Sequence, residues 1–98
     1  METYIDGRRI EWDERKNQQN KKKHHIDFHA AGLVFSDENR LEFYDEAHSV
    51  EEDRYITIGL VDEVLFVVFT ERDAGNTIRL ISARVTTARE RRLYYGDT

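Results

Sequence analysis

The most informative absence in this 98-residue sequence is that of cysteine. Without cysteine, neither a disulfide framework nor a thiolate metal site can form, which fits a reducing compartment. The chain also lacks an apolar run of the roughly 18–20 residues that a membrane span requires. Its first six residues lack the basic and then apolar layout of a signal peptide. These absences predict a cytoplasmic protein without a membrane segment, and the length predicts one domain over residues 1–98.

Charge of the two signs is unevenly distributed along the chain. The formal net charge of −5 argues weakly against a nucleic-acid partner, but the local distribution matters more than the sum. Basic residues concentrate in two places (residues 21–25; Arg72, Arg79, Arg84, Arg89, Arg91 and Arg92). Acidic residues fill the middle (Asp37, Glu38, Glu42, Asp45, Glu46, Glu51, Glu52 and Asp53). We therefore predict a basic surface that can bind RNA and an acidic edge that faces solvent or a basic protein.

Hydrophobic periodicity divides the chain into short strands and helices. Strands are predicted at 8–12, 41–44, 54–59, 64–70 and 77–83, and helices at 14–24, 28–35 and 88–95. Asp13, Asp27 and Thr87 stand where N-cap residues are expected. The first helix has almost no apolar stripe, so we expect it to be solvated. The order of elements predicts an α+β fold, with two N-terminal helices packed on a twisted antiparallel sheet and a C-terminal helix.

Side-chain alternation sorts the three long strands into two faces. If Asp62 and Glu63 form a two-residue turn, Arg54 lies opposite Glu71. Loops with an even number of residues then fix the register between all three strands. The face predicted to pack on the helices is mostly aliphatic (Ile56, Ile58, Leu65, Val67, Phe69, Ile78 and Leu80, with Arg54, Glu71, Ser82 and Arg84 at its margins). The other face is predicted to form an open groove (Tyr55, Thr57, Val64, Phe66, Val68, Thr70, Arg79 and Ile81). A single bulge would overturn this assignment.

Three groups of motifs follow one another over nearly the whole chain. They are Ile-Glu-Trp-Asp at 10–13 with Lys-His at 23–24 and Ile-Asp-Phe at 26–28; Glu-Asp-Arg-Tyr-Ile-Thr-Ile-Gly at 52–59; and Val-Val-Phe-Thr-Glu-Arg at 67–72 with Ile-Arg-Leu-Ile-Ser-Ala-Arg at 78–84 and Thr-Ala-Arg-Glu-Arg-Arg-Leu-Tyr at 87–94. In order and spacing, the set resembles the BrnT family of bacterial toxins. Glu14 stands where the family often has proline, and His25 where it often has glycine. The second departure affects the turn after the first helix, and with it the position of His24.

The resemblance implies a RelE-like fold and endoribonuclease activity. It also implies a cognate BrnA-like antitoxin with a ribbon-helix-helix DNA-binding part. Toxin and antitoxin would form a hetero-oligomer that represses its own operon, with operator DNA bound only through the antitoxin.

Metal-free RNA cleavage requires a base for the ribose 2′-hydroxyl, cations for the phosphorane and an acid for the leaving 5′-oxygen. Arg79 and Arg84 are the predicted cations, because a guanidinium group can grip phosphate bidentately. His24 and Glu71 are the predicted proton-transfer groups. Further RNA contacts are predicted at Lys22, Lys23, Arg54, Tyr55, Arg72 and Tyr94. No His and carboxylate spacing completes a metal site, so we expect neither metal nor cofactor.

Each candidate has a structural alternative. Arg79 can be an edge residue whose guanidinium extends to water, and Arg84 can simply pair with Glu71 or Glu90. The adjacent lysines and histidines can form a solvated helix face, and one of the two tyrosines at 94–95 can belong to the core. Glu71 can likewise be half of a structural ion pair.

The function that we predict is that of a metal-independent endoribonuclease toxin, which inhibits translation by cleaving RNA and which an antitoxin neutralises. Its products would carry 2′,3′-cyclic phosphates. The alternative is a non-catalytic protein-binding module that docks a DNA-binding partner. Such a module would need the acidic and apolar contact surface but not the clustered arginines.

Overall fold

The fold is α+β, as predicted, and is built on one six-stranded sheet in the order β1-β2-β6-β5-β4-β3. The computed structural model describes residues 1–96. The strands are β1 (Glu2–Ile5), β2 (Arg8–Glu11), β3 (Leu41–Tyr44), β4 (Arg54–Val61), β5 (Glu63–Arg72) and β6 (Thr77–Val85). The α-helices are α1 (Glu14–His24), α2 (Phe28–Ala31) and α3 (Ala88–Tyr95), and 3₁₀ helices span Gly32–Ser36, Glu46–His48 and Asp73–Gly75. Among the described residues, no helix has both the length and the apolar composition needed to cross a membrane.

The sheet is mixed, so the prediction of a purely antiparallel sheet is wrong. Strand β2 pairs in parallel with β6, which places Ile10 beside Ile78 and Glu11 beside Arg79. Strand β1, which the sequence did not predict because it is short and mostly polar, forms a hairpin with β2. Parallel pairing between the two ends of the chain leaves no turn motif in the sequence, and so local patterns could not reveal it.

The predicted second helix is shorter than expected. It has one α-helical turn, α2, followed by the 3₁₀ helix Gly32–Ser36. Glycine at position 32 weakens a regular helix by up to about 1 kcal/mol relative to alanine, and a Cβ there would lie 3.4 Å from Ile10 Cγ2. The apolar residues predicted in this segment still enter the core, since Phe28, Ala31 and Val34 are fully buried.

Helix α1 is exposed over most of its surface, as expected, but it packs on the protein through two buried asparagines. The Asn20 side chain donates to Ala83 O (2.8 Å) and accepts from Ala83 N (3.1 Å), as a neighbouring strand would. Asn17 Oδ1 accepts from the backbone N–H of Phe28 at 2.8 Å. Both side chains are buried, and α1 therefore covers the edge of β6 beyond its short pairing with β2.

The register between β4 and β5 differs from the prediction by one residue. Val61 pairs with Glu63 around the single residue Asp62, which has a positive φ of 61°, a conformation that Asp tolerates. Arg54 consequently lies opposite Thr70 instead of Glu71. A one-residue shift exchanges the faces of a strand, so the predicted faces of β4 are reversed: Tyr55 and Thr57 point toward the core side, and Ile56 and Ile58 point away.

A β-bulge in β6 changes the second half of that strand as well. Val68 pairs with Ser82 and Phe69 with Leu80, which leaves Ile81 as the extra residue. Beyond the bulge, Ala83 takes the core position, and Ser82 and Arg84 move to the other face. The bulge therefore brings Arg84 to the same face as Arg79, whereas strict alternation placed these arginines on opposite faces.

The core lies between one sheet face and the segment from α1 to the 3₁₀ helix Gly32–Ser36. It consists of buried apolar residues (Ile10, Trp12, Phe28, Ala31, Val34, Leu65, Val67, Phe69, Ile78, Leu80 and Ala83). Gly59 allows the 3₁₀ helix to approach β4, because a Cβ there would lie 2.4 Å from Val34 Cγ2. Helix α3 contributes no buried residue and crosses one end of the opposite sheet face.

Candidate nucleic-acid interface

The sheet face opposite the core, which we call the open face, gathers arginines from four strands. Its members follow from the strand registers (Arg9, Glu11, Arg54, Ile56, Phe66, Val68, Thr70, Arg72, Arg79, Ser82 and Arg84). Polar and basic residues concentrate toward β2 and β6, and aliphatic and aromatic residues toward β4 and β5. This combination of cations and apolar surface suits a ligand that carries both phosphates and bases.

One row of the open face runs across four strands, from Glu11 through Arg79 and Thr70 to Arg54. Arg79 Nη1 lies 3.4 Å from Glu11 Oε2, and the Arg79 side chain is 31% exposed. Thr70 is buried and donates to the backbone carbonyl of Asp53 at 2.6 Å. Arg79 thus has one long ion pair and an accessible guanidinium, which leaves donors available for an anion. Its predicted position on the same face as Thr70 is confirmed.

Arg84, at the other end of the open face, is held firmly by its neighbours. Its two terminal nitrogens donate to both carboxylate oxygens of Glu90 at 2.8 and 2.9 Å, and its guanidinium lies 3.9 Å from the centre of the Phe66 ring. These hydrogen bonds, with a smaller one from the Thr87 backbone, lower the pKa of Glu90 against the opposing effect of burial. Arg84 therefore ties α3 to the sheet, in agreement with the structural alternative of a Glu90 partner.

The two arginines are too far apart to act as one clamp in this arrangement. Five residues of strand separate their Cα atoms by about 16 Å, at roughly 3.3 Å per residue, less the shortening by the bulge. Between them lie the half-buried Ile56, Val68 and Ser82. A single-stranded nucleic acid along β6 can therefore contact Arg79 and Arg84 at different nucleotides. Its bases would then lie over Ile56 and Val68, which we call the apolar floor.

The basic end of α1 lies near Arg84. Helix α1 runs along β6, because Asn20 bonds to Ala83 and His24 follows one turn later. Burial lowers the pKa of His24, and the charges of Lys23 and Arg84 lower it further, so the neutral imidazole is favoured. Lys22 and Lys23 are exposed on the same helix, and they extend the positive charge beyond the sheet.

Two candidates lie on the other side of the sheet. Glu71 accepts from Arg8 Nη2 at 3.1 Å and pairs in register with the core residue Ile78. Tyr55 stacks on Phe69 with ring centres 5.6 Å apart. The structure therefore does not bring Glu71 or Tyr55 together with Arg79.

The remaining candidates are at the margins of the open face. Arg72 is exposed, with its Nη2 atom 3.8 Å from Glu52 Oε2. Tyr94 donates from its hydroxyl to Asp37 Oδ2 at 2.6 Å; burial and this hydrogen bond raise its pKa to about 12. Tyr94 thus anchors α3 to the segment after the 3₁₀ helix Gly32–Ser36.

Sequence reasoning missed Glu11 and Arg9, which belong to the Arg79 end of the open face. Arg9 Nη2 lies 3.1 Å from Glu2 Oε1 and 4.0 Å from Glu11 Oε2, and its Nε is buried without a hydrogen-bond partner. Alternation with the apolar residues at 10 and 12 placed both side chains away from the core. Their proximity to Arg79 depends on the parallel pairing of β2 with β6, for which the sequence carries no local signal.

Metal ligation has no evident centre in the described part of the chain. Within residues 1–96, no three His, Asp or Glu side chains converge in a way that would hold a metal ion. The arrangement that is present consists of guanidinium groups, the half-buried carboxylates of Glu11 and Glu90, and apolar side chains.

A family model described as "Ribonuclease toxin, BrnT, of type II toxin-antitoxin system" matches residues 12–90, which is most of the chain. No curated protein matches the sequence. The matched residues include α1, the core segment after it, strands β3 to β6 and the start of α3.

Proposed function

The chain belongs to the BrnT family of ribonuclease toxins of type II toxin-antitoxin systems, and we propose that it is a metal-independent endoribonuclease whose open face binds RNA. Cleavage proceeds by attack of a ribose 2′-hydroxyl on the adjacent phosphate and leaves a 2′,3′-cyclic phosphate. The protein acts as a single domain in the cytoplasm and inhibits translation by destroying RNA.

The observation that carries this proposal is the bulge at Ile81, which unites the arginines of β6 on one accessible face. Without it, Arg79 and Arg84 would flank the sheet from opposite sides and could not contact one RNA strand. The aliphatic side chains of Ile56 and Val68 give bases an apolar surface that does not distinguish one base from another. An open face with several cations but no shaped base pocket favours cleavage of many RNA sequences.

Arg79 is the cation that we assign to the scissile phosphate. Its long ion pair with Glu11 and its partly exposed guanidinium leave it free to stabilise charge that builds up on the phosphorane. Arg54, at the β4 end of this row, and Arg72, at the margin of the open face, bind flanking phosphates. At the other end of the open face, the RNA strand contacts a second basic group, which consists of Arg84, His24, Lys22 and Lys23.

The partner that we propose is a BrnA-like antitoxin with a ribbon-helix-helix DNA-binding part. Type II antitoxins are the partners of this class of toxin, and a hetero-oligomer would bind operator DNA through the antitoxin. The acidic residues between 42 and 53 support this proposal, because they offer a complementary surface to a basic protein segment.

The test is RNA cleavage by the purified toxin in excess EDTA. We expect cleavage to persist, and Arg79→Ala to lose roughly 10²–10³-fold in rate, as is typical when one transition-state donor is removed. Arg79→Lys should recover part of the rate, since it restores the charge but not the planar fork. The matched control is Arg8→Ala, because Arg8 also has one ion pair and a side chain that is 33% exposed but lies on the other face.

Each outcome has a distinct meaning. Loss of cleavage in EDTA that a divalent ion restores would contradict the metal-free mechanism. A folded toxin that cleaves no RNA under any of these conditions would favour the non-catalytic docking module. A folded Arg79→Ala variant with the parent rate would remove Arg79 from the site.

A further inference from the structure

Glu11 is a carboxylate placed directly against the arginine that we assign to the scissile phosphate. Its Oε2 lies 3.4 Å from Arg79 Nη1, and its side chain is 21% exposed. The two residues are neighbours in the parallel ladder of β2 and β6, so their side chains leave the sheet on the same face. Glu11 is thus held by the backbone of the sheet, not by a flexible loop.

The other carboxylates near the open face are engaged elsewhere. Glu90 accepts both terminal nitrogens of Arg84, and Glu52 extends to Arg72 from a loop. Among residues 1–96, the carboxylate that pairs with Arg79 is that of Glu11. Proton transfer at a phosphate bound by Arg79 therefore has Glu11 as its nearest acidic side chain.

The chemistry of RNA gives this pair a natural substrate. The 2′-hydroxyl that attacks and the phosphate that it attacks belong to the same nucleotide linkage. A guanidinium that binds the phosphate oxygens consequently brings the 2′-hydroxyl close to a carboxylate a few ångströms away. A general base has to come within hydrogen-bond reach of the proton that it removes, and Glu11 is the carboxylate beside the guanidinium that we assign to that phosphate.

We infer that Glu11 is a catalytic residue that takes the proton from the ribose 2′-hydroxyl, an inference that rests on the proposed function. As the proton passes to Glu11, the 2′-oxygen forms a bond to phosphorus and the bond from phosphorus to the 5′-oxygen breaks. The leaving 5′-oxygen takes a proton from water. Glu11 then releases its proton to solvent, and the products are a 2′,3′-cyclic phosphate and a 5′-hydroxyl.

Arg9 is a second, more distant cation near this carboxylate. It lies between Glu2 at 3.1 Å and Glu11 at 4.0 Å, so Glu11 has a guanidinium on either side. When Arg79 turns toward a phosphate, Arg9 remains as a partner for the carboxylate. The arrangement holds Glu11 on the open face without needing Arg79 to stay in its present position.

The experiment compares Glu11→Gln, Glu11→Asp and Glu2→Gln in RNA cleavage as a function of pH. Glu2→Gln is the matched control, because it also removes a carboxylate partner of Arg9 from the same hairpin. We expect Glu11→Gln to lower kcat/KM by roughly 10²–10⁴-fold, the usual contribution of a general base, and to abolish the acidic limb of the pH profile. Glu11→Asp should keep that limb at a reduced rate, and Glu2→Gln should resemble the parent.

Binding of an RNA with 2′-deoxy substitutions separates chemistry from affinity. Glu11→Gln should bind it at least as well as the parent, since a negative charge is lost from the face. A normal pH profile in Glu11→Gln, or a selective loss in Glu71→Gln, would overturn the inference while leaving the proposed function intact. Parent toxin that does not cleave RNA would instead contradict the proposed function itself. Thermal unfolding of each variant identifies any loss that is due to misfolding.

Discussion

At the scale of residues, three arginines with about one third of the side chain exposed have different roles because they touch different groups. Arg8 and Arg84 are each fixed to a carboxylate by short hydrogen bonds, at 3.1 Å to Glu71 and at 2.8 Å to Glu90. Arg79 has a single ion pair at 3.4 Å. The exposed fraction of the side chain does not distinguish these arginines. The number and length of their contacts with carboxylates do.

Tyr94 provides a pH test of the contact between α3 and the rest of the fold. Its pKa is raised from 10.0 to about 12 by burial and by the hydrogen bond to Asp37, so the folded state favours the neutral phenol. This contribution to stability is complete below pH 10 and is lost as pH rises through the folded pKa. We expect Tyr94→Phe to destabilise the protein at pH 7 by about 1.5–3 kcal/mol, since the hydrogen bond is to a charged group.

The measurement is urea unfolding of the parent and of Tyr94→Phe between pH 7 and pH 12. The difference in the free energy of unfolding should shrink as pH rises from 10 toward 12, because only the parent has this phenol to ionise. A difference that stays constant over this range would show that the hydrogen bond to Asp37 does not control the stability of the contact.

Residue patterns predicted helix ends better than they predicted the site. Asp13, Asp27 and Thr87 cap their helices as expected, since an N-cap depends on only a few neighbouring residues. The face of Tyr55 was wrong, because it depended on whether the turn at Asp62 has one residue or two. Glu11 was missed for a related reason: its partner Arg79 lies in β6, the last strand along the chain.

At the scale of elements, α1 shows how a helix can pack without an apolar face. Asn20 reproduces the hydrogen bonds of a β-strand at the free edge of β6 and also donates to Ile26 O at 2.9 Å. The Asn17 side chain likewise accepts from the backbone N–H of Phe28 and donates to Asp27 Oδ1. The weak apolar pattern of this segment correctly predicted a mostly exposed helix. It could not reveal that Asn17 and Asn20 are buried, because asparagine can bury its side chain when both of its polar groups are paired.

Removing the Asn20 side chain should therefore detach α1 from β6. In Asn20→Ala, the buried N–H and C=O of Ala83 lose their partner, and each unpaired group costs about 1–3 kcal/mol. Asn20→Leu should not restore stability, since it fills the volume but cannot form hydrogen bonds. Denaturant unfolding and hydrogen exchange at the Ala83 amide are the measurements, with Gln18→Ala on the exposed side of α1 as the control. Unchanged protection of the Ala83 amide in Asn20→Ala would contradict this role.

The strands themselves were largely predicted, whereas their arrangement was not. Clusters of β-branched and aromatic residues identified β4, β5 and β6 to within a few residues. The bulge at Ile81 has no marker such as glycine, and so strict alternation assigned Arg84 to the wrong face. A shift or bulge of one residue decides which side chains share a face, and no local pattern records it here.

At the scale of the whole molecule, the two signs of charge lie at different ends of the sheet. The acidic residues between 42 and 53 belong to β3 and the loop that follows it, at one edge of the sheet. The basic end of α1 lies beside β6, with β5 and β4 in between. Near the acidic loop, a cavity of about 520 Å³ is lined by four carboxylates and one arginine (Glu52, Asp53, Glu71, Asp73 and Arg72), so its lining is acidic on balance.

We expect a basic antitoxin segment to dock at this acidic edge. Co-expression with the neighbouring open reading frame should give a stable complex and relieve growth arrest. The double variant Glu46→Gln/Glu51→Gln should slow association several-fold at low salt, because opposite charges steer encounter, and the difference should diminish as salt screens it. The control, Gln18→Lys/Gln19→Lys, changes the net charge by the same amount on α1.

Two results would count against this docking surface. One is failure of the two proteins to co-purify over several salt concentrations. The other is an association rate for the Glu46→Gln/Glu51→Gln variant that equals that of the parent or falls no further than in the α1 control.

The parallel pairing of β2 with β6 also determines when the site is complete during synthesis. Glu11 leaves the ribosome early and Arg79 late, and the two meet only after the intervening helices and strands have formed. Pairings of such long sequence separation form slowly, because a large loop has to close first. A growing chain therefore carries half of the site without its counterpart. The proposed site therefore cannot form until the chain has been synthesised through β6.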